Sequence, residues 1–379
     1  MISRRTGSRS TRVLALGLAS MLALAACGEA TSSPTSAPPA SPPAATVAPT
    51  GDAESPSATA DAEARIAELR ASLEGQSVIV GSSAFPNASI TGAFKTLELL
   101  ESEFGVTVEF RLLDSDPLVA AMISGQVQVG ALSLAGMANA NSAGADFAAI
   151  GGDDQKNTFV VASKDPIESM EELEGQPFAV TQNLNQITGQ TARRCLETAG
   201  LDLEQDVQLL RLSNTGEATQ AIRTGQVAGG ISATFRLTGI TLEDGDIYNI
   251  LCRGWETNPQ ISTVWMVDRA WLADNGDMAL ALNIASLMAA RWAAENKDEW
   301  VELATSEVEN LSAEAASIDY DTLVTELDNW PVNGSLDREL CQQTLDTSLE
   351  FDAIDRPYTV DELVTFEYQD EALSILGEA

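Results

Sequence analysis

The chain of 379 residues contains no histidine, and that single absence removes a good deal of chemistry. Without imidazole there is no Ser-His-Asp relay, no Cys-His nucleophile pair and no histidine-bearing zinc site. The four cysteines lack metal-ligand spacing, no Gly-x-Ser-x-Gly is present and no carboxylates cluster as metal ligands, so an enzyme is not expected. Cations are scarce as well: 21 Lys and Arg stand against 56 Asp and Glu, a net charge of −35. So acidic a surface excludes nucleic acid and electrostatic attachment to anionic lipid, both of which need basic patches. The apolar run Val13 to Ala26 falls short of the roughly 20 residues that span a bilayer. No cofactor or metal is implied by any of these features.

What is present is a phrase used twice. Gly75-Gln76-Ser77-Val78-Ile79-Val80 is answered about one hundred residues later by Gly175-Gln176-Pro177-Phe178-Ala179-Val180. Each opens a short strand, apolar on both faces, as a covered parallel sheet requires. A polar loop follows each time, Ser82 to Asn87 and then Gln182 to Gln186. After each loop comes a helix whose apolar residues recur at i, i+3, i+4 and i+7 and which a glycine stops, Gly105 and Gly200. A second pair repeats at the same spacing, Ser124 to Ser133 against Thr224 to Ser232. The period is far too long for a solenoid, whose repeats run roughly 20–50 residues. It means two lobes built alike, with facing polar loops and a cleft between them.

Taken in order, strands are expected at 78–80, 106–112, 127–132 and 147–150, with a Gly151-Gly152-Asp153-Asp154 turn after the last. Another strand follows at 158–162, and Lys164-Asp165-Pro166 marks the crossing into the second lobe. That lobe has a small helix at 167–173, strands at 178–180, 207–212, 227–232 and 247–251, and helices from Thr188 and Thr215. The apolar run Ser262 to Val267 reads as the return strand, and everything after Asp268 is helical in pattern. The expected organisation is therefore 61–162 with 260–379 as a discontinuous first lobe and 163–259 as the second. With 44% hydrophobic residues the chain can bury two cores.

The N-terminus carries an address. Arg4, Arg5, Arg9 and Arg12 precede the short apolar run, which ends in Leu24-Ala25-Ala26-Cys27 and resembles the bacterial lipoprotein signal. The resemblance implies a signal peptide over 1–26 and a lipid on Cys27. Residues 27–60, rich in Ser, Thr, Pro and Ala, cannot form a core and read as a disordered tether.

The body resembles substrate-binding lipoproteins of ABC importers, of the nitrate/sulfonate/taurine and thiamine-pyrimidine-precursor group with the type II periplasmic-binding-protein fold. Leu118 to Ser133 resembles the family's first Gly-Gln-Val segment, with Gln128 where that family usually has Asp. Ile167 to Gln176 resembles the opening of its second lobe, and Ala221 to Gly230 its second such segment, with Ala228 in place of Asp. Arg269-Ala-Trp-Leu272 and the Ala-Arg-Trp-Ala293 helix resemble its return segment. The resemblance implies an α/β fold, each lobe a mixed, mostly parallel sheet flanked by helices, with two hinge crossings and a helical C-terminal part. It implies a lipid-anchored, extracytoplasmic protein, acting as a single copy, that traps a small molecule and delivers it to an ABC transporter permease. An enzyme or a sensor on the same scaffold is the alternative.

Carried onto this chain, the family's site falls on Ser82, Ser83, Phe85, Asn87 and Ser133 from the first lobe. From the second it falls on Gln182, Asn183, Thr188, Gly189, Ser232 and Thr234. Hydroxyls, amides and helix-start N–H groups suit a sulfonate, a carboxylate or a polar heterocycle. Arg236 is the nearest cation beyond a strand end, and Trp255 stands where it could stack on a planar ligand, whereas Trp265 reads as core. The missing histidine disfavours nitrate, whose sites in this family use basic side chains. Cys195 and Cys252 could meet as a disulfide inside one lobe, leaving Cys341 as a buried thiol.

Overall fold

A computed structural model describes residues 56–83, 87–164 and 166–379, with side chains from residue 62. The signal, Cys27, the tether up to residue 55 and Phe85 lie outside the described residues.

Among the described residues ten strands form in chain order: β1 Ser77–Ser82, β2 Thr107–Leu112, β3 Val129–Leu132, β4 Phe147–Asp154, β5 Phe159–Lys164, β6 Pro177–Thr181, β7 Gln208–Leu212, β8 Gly229–Ala233, β9 Tyr248–Arg253 and β10 Thr263–Asp268. They make two five-stranded sheets, β2-β1-β3-β10-β4 and β7-β6-β8-β5-β9. In the first, β1 pairs in parallel with β2 and β3, while β10 runs antiparallel to both β3 and β4. The second repeats this with β6 parallel to β7 and β8, and β5 antiparallel to β8 and β9. Four strands of each sheet thus run one way and one is reversed.

The reversed strand is in each case the one that arrives from the other sheet. A chain that leaves one sheet at its carboxyl tips enters its neighbour at the same end, and must then run backwards through it. The chain changes sheets between Asp154 and Phe159, since β5 already pairs within the second sheet. That corrects the expected crossing at Lys164-Asp165-Pro166 and the expected boundary at residue 162. The turn expected at 151–154 is likewise absent, because β4 continues through it, fully buried, against β10 with two irregularities in register. Its glycines allow close packing there: a side chain on Gly152 would meet Ser335 at 2.4 Å, and one on Gly151 would meet Asn283 Oδ1 at 3.0 Å.

The repeated phrase has the same geometry in both copies. Gly75 and Gly175 take positive φ, +79° and +70°, and Gln76 and Gln176 each donate their backbone N–H to a leucine carbonyl three residues back. The two departures from the family's Asp also have a local account. Gln128 Oε1 accepts the backbone N–H of Ile79 at 2.9 Å, while Ala228 lies against Pro177, which has no N–H to satisfy.

Helices cover both sheets. Thr91–Phe104 and Gly276–Glu295 pack on the first, and the latter buries residues on most of its faces, as its even apolar pattern requires. A separate core of Val160, Phe178, Val180, Leu196 and Ile231 fills the second. Helix Thr234–Asp244 was not expected: its apolar residues are few, and Leu237 and Ile240 anchor it to that core. The segment expected as a helix at 167–173 shrinks to a single 3₁₀ turn, Glu171–Leu173. From Arg269 to Leu376 the regular elements are helices, including one π-helical stretch, Asp321–Glu326, separated by irregular segments at 327–337 and 351–359. Cys195 on helix Ile187–Thr198 is joined to Cys252 on β9, and Cys341 is a free, buried thiol.

Candidate functional site

A cavity of about 850 Å³ lies where the two sets of strand tips face one another. Its walls are the loops after β1, β3, β6 and β8 and both crossing segments, the position open α/β sheets reserve for ligands. Helices begin at these tips, so several N-terminal ends, where backbone N–H groups lack intrahelical partners, are directed at one space.

Five of the thirteen expected ligand residues line this cleft: Ser83, Asn87, Ser133, Asn183 and Arg236. Three of them also hold the loops in shape. Asn87 Oδ1 accepts from Ser89 N at 2.8 Å, Ser133 Oγ from Gly136 N at 3.1 Å, and Asn183 Oδ1 from Asn185 N at 3.0 Å. Such caps fix where the helix starts point. Phe85 lies outside the described residues, and the structure does not bring the other seven to the cleft. Ser82 is 4% exposed and ends β1 facing inward. Thr188 is buried, its hydroxyl 2.6 Å from that of Thr181. Gly189 packs on the Leu184 backbone, which a side chain would meet at 2.4 Å. Ser232 is fully buried, 2.7 Å from the Thr219 hydroxyl. Gln182 is exposed away from the cavity. Thr234 and Trp255 line a different cavity. A strand tip delivers alternate residues to opposite faces, so of two adjacent polar residues only one reaches the cleft.

Arg236 is the cation of the cleft. Its guanidinium forms no ion pair among the described residues, and Nε is buried without a hydrogen-bond partner there. Desolvation lowers its pKa. It lies over the first turn of helix Thr215–Arg223, with Nη1 3.2 Å from where a side chain on Gly216 would begin. A cation beside the positive end of a helix dipole is unfavourable by itself, and an anion placed between them relieves both. Asn214 and Thr215 of the same helix start line the cavity too.

Sequence reasoning missed the crossing residues. Asp154, Thr158, Gln260 and Ser262 all line the cleft. Nothing in the sequence marks them, because their position follows from which sheet each strand joins. Asp154 is 5% exposed, with Oδ1 unpartnered among the described residues. Burial pushes its carboxyl up to about 7, and hydrogen bonds involving Asn329, Ser262 and the Lys156 backbone offset only part of this. Its neighbour Asp153 is pushed well up by burial and by the Asp154 charge. Among the described residues no group of side chains has the makings of a metal site.

Comparison with known proteins agrees with this geometry. The family model described as ABC transporter, phosphonate, periplasmic substrate-binding protein matches residues 82–282. Among curated proteins no sequence matches significantly. The fold is shared with the periplasmic aliphatic sulphonate binding protein SsuA from Escherichia coli, at 17% identity and TM-score 0.60, over 76% of this chain and 97% of that one. It is shared with the periplasmic nitrate-binding protein NrtA from Synechocystis PCC 6803, at 13% identity and TM-score 0.64, over 80% and 89%. A mutant of DSZB in complex with biphenyl-2-sulfinic acid is similar in fold as well, at 16% identity and TM-score 0.60, over 79% and 99%. With the family model matching more than half of its length, the chain belongs to the phosphonate-type periplasmic substrate-binding proteins of ABC transporters.

Proposed function

We propose that the protein captures a small organic anion, with a phosphonate or sulfonate headgroup, in the cleft between its two sheets and delivers it to an ABC transporter permease. The observation that carries this reading is the unpaired Arg236 guanidinium over the start of helix Thr215–Arg223. In the bound state the headgroup lies between them, accepting from the guanidinium and from N–H groups of the helix start. Ser83, Asn87, Ser133 and Asn183 close the space around the rest of the molecule. The ligand touches both sets of strand tips only when they approach, so its binding free energy favours the closed arrangement that the permease reads.

Binding rather than catalysis is the reading because no histidine is available and burial pushes the Cys341 thiol up to about 12, far from a working nucleophile. We also take the protein to be exported through a signal over 1–26, lipidated at Cys27, tethered by the residues that precede the helix Pro56–Leu73, rather than by the whole of 27–60, and active as a single copy at the extracytoplasmic face. Cys27→Ala should then release it from the membrane fraction; retention of the variant there would end that part of the reading.

The central test is calorimetry with methylphosphonate and methanesulfonate on the protein and on Arg236→Ala. Loss of a desolvated charge pair costs about 2–5 kcal/mol, so binding should weaken at least thirtyfold while the unliganded melting temperature changes little. Unchanged affinity in the variant would remove Arg236, and with it the anion reading.

A further inference from the structure

Helix Thr234–Asp244 has a second side. Arg236 faces the cleft, whereas Thr234, Leu237 and Thr241 face a separate cavity of about 260 Å³. One wall of this cavity is the helix, another is β9 with the turn at Trp255, and the third comes from the C-terminal helices through Ile318 and Thr322. Three features set it apart from an incidental crevice. Leu242, Ile250 and Ile318 line it while 37–41% exposed, which gathers half of the molecule's six large exposed hydrophobics among the described residues into one place. Thr234, only 6% exposed, also lines it, and its buried hydroxyl has no partner among the described residues. Arg253 also lines it, its guanidinium 5.9 Å from the centre of the Trp255 ring and without an ion pair among those residues. Glu326 stands exposed at the rim.

An apolar floor beside one unpaired cation is complementary to a molecule that has an apolar body and a single negative group. Water would hydrate the cation but leave the apolar floor exposed. A neutral hydrocarbon would cover the floor and strand the cation, which costs the free energy of desolvating it unpaired.

We propose that this cavity is a second binding site, distinct from the cleft, for a small amphipathic organic anion. Its carboxylate or sulfonate pairs with Arg253 beside Trp255, and its apolar body lies against Leu242, Ile250 and Ile318. The proposal is independent of what the cleft holds.

The test uses the whole protein and two probes, 4-phenylbutyrate and its uncharged counterpart 4-phenylbutanol, titrated by calorimetry with intrinsic tryptophan fluorescence as a second readout. The acid should bind the unmodified protein and Arg236→Ala equally, and bind Arg253→Gln at least tenfold more weakly. The alcohol should bind at least tenfold more weakly than the acid. Ile318→Glu, at an exposed position on the opposite wall, should also weaken the acid, so the outcome does not hang on one variant. Any of three results overturns the proposal: no saturable binding of the acid at low millimolar concentration, equal affinity for acid and alcohol, or binding lost in Arg236→Ala and kept in Arg253→Gln.

Discussion

Arg236 is matched in the cleft by the carboxyls of Asp116, Asp154 and Asp352, of which Asp154 is the buried one. In the proposed function Arg236 draws an anion in; the buried carboxyl of Asp154, pushed up to about 7, would repel one once ionised. Burial is the first cause of that shift, so the proton is held in the folded protein well above the ordinary carboxylate range and leaves as pH rises through about 7. Anion binding should therefore be tightest below pH 7 and weaken above it. Calorimetry with methanesulfonate, whose charge is constant over this range, at pH 6 and pH 8 and constant ionic strength, should show this fall, and Asp154→Asn should flatten it by staying neutral throughout. Arg236 was visible in the sequence as the nearest cation beyond a strand end. Asp154 was not, because the Gly-Gly-Asp-Asp stretch reads as a turn while the structure makes it the buried end of β4. Only pairing with β10, more than one hundred residues away, distinguishes the two.

At the scale of elements, the repeated strand, loop and helix units were legible because hydrophobic period, capping polar residues and glycine stops agree within each short segment. Helix Thr234–Asp244 escaped because its face is shared between the second core, the cleft and a second cavity, which leaves no clean apolar stripe. The Cys195–Cys252 bond fastens helix Ile187–Thr198 to the edge strand β9, across a separation of 57 residues. Replacing both cysteines by serine should lower the unfolding free energy by about 2–4 kcal/mol, read from urea denaturation. Neither cysteine lines the cleft, so ligand affinity should stay within about twofold. A large loss of affinity without loss of stability would mean that the bond holds the binding loops themselves.

For the whole molecule, the net charge of −35 matters more than any single pair. An anion approaching so acidic a body is repelled at long range and attracted only close to Arg236. Salt screens the long-range field more than the short contact, since the Debye length shrinks from about 30 Å at 0.01 M to about 10 Å at 0.1 M. The association rate of methylphosphonate, measured by stopped-flow fluorescence, should therefore rise with ionic strength, the reverse of the usual behaviour of steered pairs. A rate that falls with salt would mean that the cleft's local positive potential dominates from a distance.

The sequence by itself determined that there are two similar α/β halves and that the chain finishes in helices. These properties are local or periodic, written into runs of ten to thirty residues. Which polar residues meet in the cleft was decided only by the tertiary structure. β5 and β10 each belong to the sheet they do not follow in the chain, and that exchange sets Asp154, Thr158, Gln260 and Ser262 beside Arg236. Strand pairing across such distances depends on the packing of both cores at once, and no local pattern of residues encodes it.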